Sequence, residues 1–185
     1  MVKMMTNLSQ GSNELAYGKI RNFLIDLGEE TVSEKDEEKF WKLDIRHGST
    51  LVTIYHDKRR KYMSVVYPNS IGDRNILSVI NNSFNEKNGG ADRRFAFYAA
   101  ISTPLTGYLM YTNENGFTGY DIFAKIFPFE PGFSLPQMDD AIQKVVSVGI
   151  LGTAYLKSLL PDSTTVNKIV VNNNIQGTLG DVMYS

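Results

Sequence analysis

Two histidines, His47 and His56, are the first residues to weigh for metal ligation or acid–base work, because imidazole titrates near neutral pH. Gly48-Ser49 reads as a two-residue hairpin turn, which pairs His47 with Thr50 and leaves His56 six residues further along the second strand. At about 3.3 Å per residue the two imidazoles stand roughly 20 Å apart, too far for shared ligation. Each therefore reads as a surface histidine at a strand end. Asp139-Asp140 could serve as paired carboxylates, but they open a long helical run, where acids meet the favourable end of the dipole. Asp44 and Asp121 fall on strands without a visible partner, and a wet-face position accounts for both. No serine sits in a nucleophile elbow, and no Walker or dinucleotide glycine loop is present. The chain has no cysteine, which removes disulfides, thiolate metal sites and a cysteine nucleophile. A hydrolase would need polar groups that converge, and the spacing brings no such pair together. The reading is non-enzymatic, with no catalytic residue, cofactor or metal.

Lys58-Arg59-Arg60-Lys61 is the one dense basic cluster, with Tyr55 and Tyr62 as neighbouring stacking surfaces. Together with Arg93 and Arg94 it supports an alternative reading as a nucleic-acid-associated protein. The formal net charge of -1 does not favour that alternative. The acidic segment 29–38 enters the first strand at the end of the meander where the basic turn leaves it, so the two opposite charge runs are expected to be neighbours. Phe127, Phe129 and Phe133, spaced by Pro128, Pro131 and Gly132, form the densest aromatic loop. It suits a plug beneath a long helix or an exposed partner site.

The elements that would position these residues follow from periodicity. Ser12 and Asn13 are suitable N-caps for a helix carrying Ala16, Ile20, Phe23, Leu24 and Leu27, and Gly28 suits its C-terminal cap. Trp41, Leu43 and Ile45 alternate with Lys42, Asp44 and Arg46, which predicts a strand with one wet face. Strands over 51–56 and 62–67 complete a meander that Pro68 ends. Asp73 caps a second helix bearing Ile76, Leu77, Ile80 and Phe84. Over 92–104 Phe95, Phe97, Ala99 and Ile101 alternate, while Phe95, Tyr98, Ala99 and Ser102 fit one helical face; helix is the reading adopted. A hairpin over 108–127 follows, then a helix from Leu135 to Leu160 whose Ser147, Gly149, Gly152 and Thr153 admit a close neighbour. The fold class is α+β: an antiparallel sheet of a three-stranded meander plus a hairpin, helices packed on one face, in the order α-βββ-α-α-ββ-α.

At 185 residues, 42% of them hydrophobic and 21% charged, the chain suits one globular domain over 13–161, with an N-terminal extension (1–12) and a tail (162–185). The N-terminus lacks the apolar stretch of a signal peptide, and Lys144 and Lys157 flank the longest apolar run too closely for it to span a bilayer. No membrane contact is expected, and a cytoplasmic location is the default. In the tail, Ile169, Val171, Ile175, Leu179 and Met183 fall at odd positions, so an extended segment would present a largely apolar face, interrupted at Asn173, Gly177 and Asp181, able to add a strand to a sheet edge; a floppy polar tail is the other reading.

The chain resembles the type III secretion chaperone-like fold and, more narrowly, an uncharacterised, mainly archaeal family with that fold. The residues that carry the likeness are Ile20–Gly28, Arg94–Leu105, Ile122–Phe127, and the pattern of Gly132, Met138, Ala141 and Ile142 in the stretch ending at Gln143. The resemblance spans roughly 13–160. It implies a homodimer that binds extended or partly unfolded protein segments, and it supplies no catalytic residue. The expected function is a non-enzymatic, chaperone-like interaction module. Its candidate partner-binding residues are Phe127, Phe129, Phe133, Ile169, Val171, Ile175 and Leu179.

Overall fold

A computed structural model describes residues 2–85, 87 and 89–161, with side chains from Gly11 onward. The elements run α1 (Val2–Asp26), β1 (Glu30–Asp36), β2 (Phe40–His47), β3 (Thr50–Asp57), β4 (Met63–Ser70), α2 (Arg74–Ser83), α3 (Gly90–Ile101), β5 (Gly107–Asn113), β6 (Gly116–Ile126) and α4 (Leu135–Ser158). The six strands form one open antiparallel sheet in the order β1-β2-β3-β4-β6-β5. Helix, strands, helices, strands, helix is the order the periodicity leads one to expect, with one strand more than expected. The candidate tail strand with Ile169, Val171, Ile175 and Leu179 lies outside the described residues.

The additional strand is β1, drawn from the acidic segment read as a polar connection. Its alternation is masked because nearly every side chain is exposed. Tertiary contacts hold it instead. Glu34 accepts from Trp41 Nε1 at 2.7 Å and from the Arg21 guanidinium, while Ser33 Oγ donates to Asp44 at 2.7 Å. Two further local readings change. Helix α1 begins at Val2, so Ser12 and Asn13 lie within it rather than capping it; their propensity penalty is a few tenths of a kcal/mol each, small enough for a long helix to absorb. Pro68 lies inside β4 rather than ending it. Pairing of β4 with β3 runs only to Val66, so the missing N–H of Pro68 removes no bond from that ladder.

Other boundaries follow from the expected local chemistry. Gly28 at φ 74° closes α1, with Glu29 N–H bonding Leu24 O and Gly28 N–H bonding Ile25 O, a Schellman arrangement. Gly48 at φ 60° forms the β2–β3 turn, and the register pairs His47 with Thr50 and Trp41 with His56. The Asp73 carboxylate caps α2 by accepting from the N–H groups of Asn75 and Ile76.

The described residues group into two compact units. The first contains the chain up to Val66 and Ala124–Gln143; the second contains Tyr67–Phe123 and the chain from Lys144 on. In the first, Tyr17 stacks on Trp41 with ring centroids 4.4 Å apart, above a layer of Leu43, Ile45, Val52 and Ile54. Burying each such aliphatic side chain contributes roughly 1.5–3 kcal/mol. In the second, Phe97 is the hub, with Phe84, Phe117, Tyr120 and Tyr155 all within 6.0 Å centroid to centroid. There α4 comes close to the strands through glycine. A Cβ on Gly149 would lie 2.4 Å from the Tyr67 ring, and one on Gly152 2.6 Å from Ile101 and from Tyr120.

Candidate interaction surface

The edges of the sheet differ in chemistry. On the β1 edge stand Glu30, Glu34, Lys35 and Asp36, several of them tied down: Glu30 to Arg46 at 3.2 Å, Glu34 to Arg21 and Asp36 to Lys58. The guanidinium of Arg21 holds the Glu34 carboxyl below its ordinary value. Charges of this kind blunt an edge against pairing with other chains. By contrast β5, Gly107-Tyr108-Leu109-Met110-Tyr111-Thr112-Asn113, carries no charge along its seven residues. It pairs with β6 from Gly107↔Phe123 to Asn113↔Gly116, with an irregularity between Tyr111 and Thr112.

Apolar groups gather at the start of this edge. Phe95 is 74% exposed and Leu105 64%. Tyr98 and Tyr108 are also exposed and stack on each other, with centroids 6.3 Å apart and planes 14° apart. Phe95 and Tyr98 are neighbours three apart on α3, and the turn that lifts Leu105 is pinned by a Thr103–Thr106 bridge with a 2.7 Å hydroxyl contact. The face of α3 that carries Phe95, Tyr98, Ala99 and Ser102 is thus its solvent face. Phe97 and Ile101 turn inward instead.

The residues singled out from the sequence are dispersed. Phe133 is buried against Phe23 at 5.8 Å, Phe129 is half-buried beside His56 at 5.1 Å, and Phe127 is exposed near Tyr62 at 6.4 Å. Most of that loop packs as a plug, with Phe127 its outward member. In the basic turn Lys58 pairs with Asp36, Arg59 pairs with Asp57 at 2.9 Å, and the Arg60 carbonyl accepts from His56. The acidic segment and the basic turn are neighbours, as expected. Lys61 is exposed. On α3, Arg93 reaches the Ser83 carbonyl at 3.4 Å and Arg94 is half-buried.

Three polar residues assigned to wet surfaces are buried. His56 faces α1 across from Trp41; its Nε2–H donates to Arg60 O at 3.0 Å, so Nδ1 is the acceptor for the Tyr17 hydroxyl at 2.9 Å. Burial lowers its pKa and keeps it neutral. His47, half-buried, bonds Glu29 at 2.6 Å. Asp44 accepts from Ser33, from Thr53 at 2.7 Å and from Lys42 at 3.0 Å. Asp121 is fully buried. The wet-face expectation fails for both aspartates because partners from adjacent strands share that face, which single-strand periodicity cannot reveal. Among the described residues no group of three or more His, Cys, Asp or Glu side chains is placed to hold a metal ion.

Sequence reasoning assigned none of Phe95, Tyr98, Leu105 and Tyr108 to a partner site. The available signal was the uncharged run 107–113 in a chain that is one-fifth charged.

No helix among the described residues is long and apolar enough to cross a membrane. No family model matches the chain, and no curated protein matches it in sequence. Among solved structures it is similar to an uncharacterized protein from Methanothermobacter thermautotrophicus, with a TM-score of 0.65 and 12% identity, over 78% of this chain and 98% of that one. It is also similar to YbjN from E. coli, a candidate transcription regulator, with a TM-score of 0.44 and 12% identity over 77% and 90% of the two chains. At 12% identity the likeness to the archaeal protein concerns the fold alone, and that protein is not identified as a secretion chaperone. The fold is one shared with an uncharacterised archaeal protein.

Proposed function

We propose that this protein is a non-enzymatic interaction module that holds an extended protein segment as an added strand on β5, in the manner of a chaperone and as a homodimer. The observation that carries the reading is the uncharged β5 edge beside exposed Phe95, Tyr98, Leu105 and Tyr108. Main-chain bonds along an edge supply affinity that is independent of sequence, and apolar anchors at one end supply preference. The nucleic-acid alternative draws less support, because Lys58 and Arg59 are already engaged by carboxylates.

The test uses a permanently unfolded probe, fluorescein-labelled reduced and carboxymethylated α-lactalbumin, followed by anisotropy. Wild-type protein binds it, and binding changes little between low and high salt. Tyr108→Lys and Phe95→Asp, both at exposed positions, weaken binding about tenfold, the equivalent of roughly 1.4 kcal/mol. Hydrogen exchange of β5 amides slows in the complex. Failure of the wild type to bind, or equal binding by both variants, overturns the reading. Light scattering on the full chain returns a dimer mass; a monomer mass removes the homodimer from it.

A further inference from the structure

In the second unit α3 and α4 meet the strands on one face of the sheet. Thr153 Oγ1 of α4 lies 2.9 Å from the Tyr67 hydroxyl and 2.7 Å from Asn69 Nδ2, and Phe97 of α3 packs against Phe117 and Tyr120. Side chains alternate along a strand. Pro68, between Tyr67 and Asn69, and Asp121, next to Tyr120, therefore turn to the opposite face, and Phe123 follows Asp121 there. Tyr111 joins them, since its hydroxyl reaches Asp121, and so does Leu109, directly opposite Asp121 in the ladder.

This second face is enclosed all the same. Asp121 has no solvent exposure, Pro68 is buried, and Leu109, Tyr111 and Phe123 are half-buried. The Phe123 ring is committed across the ladder to Gly107, where an added Cβ would fall 2.3 Å from it. The Tyr111 hydroxyl and the Asn69 backbone N–H address the Asp121 carboxylate, yet Oδ1 has no partner among the described residues. A carboxylate oxygen on an open sheet face would meet water. One that is fully enclosed and unpartnered marks a surface that another layer covers. The layer this surface calls for is apolar, with one hydrogen-bond donor set within it.

The sequence that continues from α4 has that chemistry. At the odd positions Ile169, Val171, Asn173 and Ile175 the order is apolar, apolar, amide, apolar. Its reach suffices. Gly152 lies against Ile101 and the Tyr155 hydroxyl donates to Arg93 O, so α4 runs antiparallel to α3 and ends beside its start. A layer beyond the sheet stands about 20 Å from the helix layer, two spacings of about 10 Å, while the chain from Pro161 to Ile169 spans roughly 26 Å when extended. We infer that Ile169–Ile175 lies as an extended segment across this face of its own chain, with Val171 and Ile175 on Leu109, Phe123 and Pro68 and the Asn173 amide donating to Asp121 Oδ1. The surface so covered is the face of the sheet and not its β5 edge, which stays open to a client.

The chain has no cysteine, so paired cysteine substitutions in the full chain report proximity without background. Leu109→Cys with Val171→Cys, treated with a short bis-maleimide, links within one chain about tenfold more than Tyr108→Cys with Val171→Cys. Tyr108 is the adjacent residue, but it stacks on Tyr98 of α3 and so belongs to the other face. Intact mass separates a link within one chain from a link between two. A second measurement does not depend on Leu109: the Asp121 carboxyl carbon is titrated by NMR. Asn173→Ala raises its midpoint by roughly 0.5–1 unit, as loss of a donor to the charged form does, and Asn172→Ala leaves it in place. Equal linking of the two cysteine pairs, no linking of either, or an Asp121 midpoint unmoved by Asn173→Ala overturns the inference. A link between two chains overturns it as well and assigns the face to the tail of a second copy.

Discussion

Tyr111 on β5 donates its phenolic hydrogen to Asp121 on β6, and the carboxyl that receives it has no solvent exposure. Asp121 Oδ1 has no hydrogen-bond partner among the described residues. Burial pushes the pKa of Asp121 up to about 6, although the Tyr111 hydroxyl and the Asn69 backbone N–H both favour its charge. Burial likewise raises the pKa of Tyr111, so it remains a donor throughout the neutral range.

A buried acid of this kind has a signed consequence for stability. The folded chain binds the Asp121 proton more tightly than the unfolded chain does. Its contribution is therefore complete below the ordinary value of 3.8 and is lost as pH rises through about 6. The difference amounts to about 3 kcal/mol by pH 8. Asp121→Asn keeps an acceptor for Tyr111 and removes the ionisation. Thermal melts should show the variant more stable than wild type by roughly 5 °C or more at pH 8, with the gap closing towards pH 4. A gap independent of pH would place the effect elsewhere. His56, its pKa lowered by burial, acts oppositely by losing stability as pH falls, so the comparison between variants isolates Asp121 better than the wild-type curve alone.

The two histidines should separate sharply. His56→Ala leaves the Tyr17 hydroxyl without its acceptor and opens a cavity beside Phe129, costing about 2–4 kcal/mol. His47→Ala removes a half-buried contact to Glu29 and should cost less than about 1 kcal/mol. Urea midpoints of the two variants decide the matter; equal losses would refute the assignment of His56 to the core.

Helix α4 approaches its neighbours within limits that a side chain breaks. Gly152→Leu places atoms against Ile101 and the Tyr120 ring, and Gly149→Val against the Tyr67 ring. Overpacking here should destabilise by about 1–3 kcal/mol or more. Gly132→Ala, with nothing within 4 Å of the new methyl, should be nearly silent and serves as the control in the same denaturation series.

Glu34→Ala orphans the Trp41 indole N–H and releases Arg21, and should cost about 1–2 kcal/mol. Glu34→Gln retains an acceptor for Trp41 and should recover most of that loss. Faster hydrogen exchange across β1 in the alanine variant would confirm that this carboxylate, rather than strand propensity, holds the edge.

The local chemistry of short segments was legible in the residues themselves. The caps at Gly28 and Asp73, the Gly48-Ser49 turn with its His47↔Thr50 register, and the periodicity of α2, β2 and α4 depend on neighbours a few positions away. Even the close approach at Gly149 and Gly152 was visible, because only small residues permit it. What the tertiary structure decided depends on partners distant in sequence. β1 became a strand because Trp41 and Arg21 engage Glu34, and Pro68 stayed in β4 because the β3 ladder ends before it. Asp44 and His56 went inside because partners from other elements satisfy them. The outward face of α3, and with it the apolar group beside β5, was set by Phe97 finding four aromatic neighbours on other elements. Periodicity reveals that a helix has two faces; which one is buried depends on what the rest of the chain brings to it.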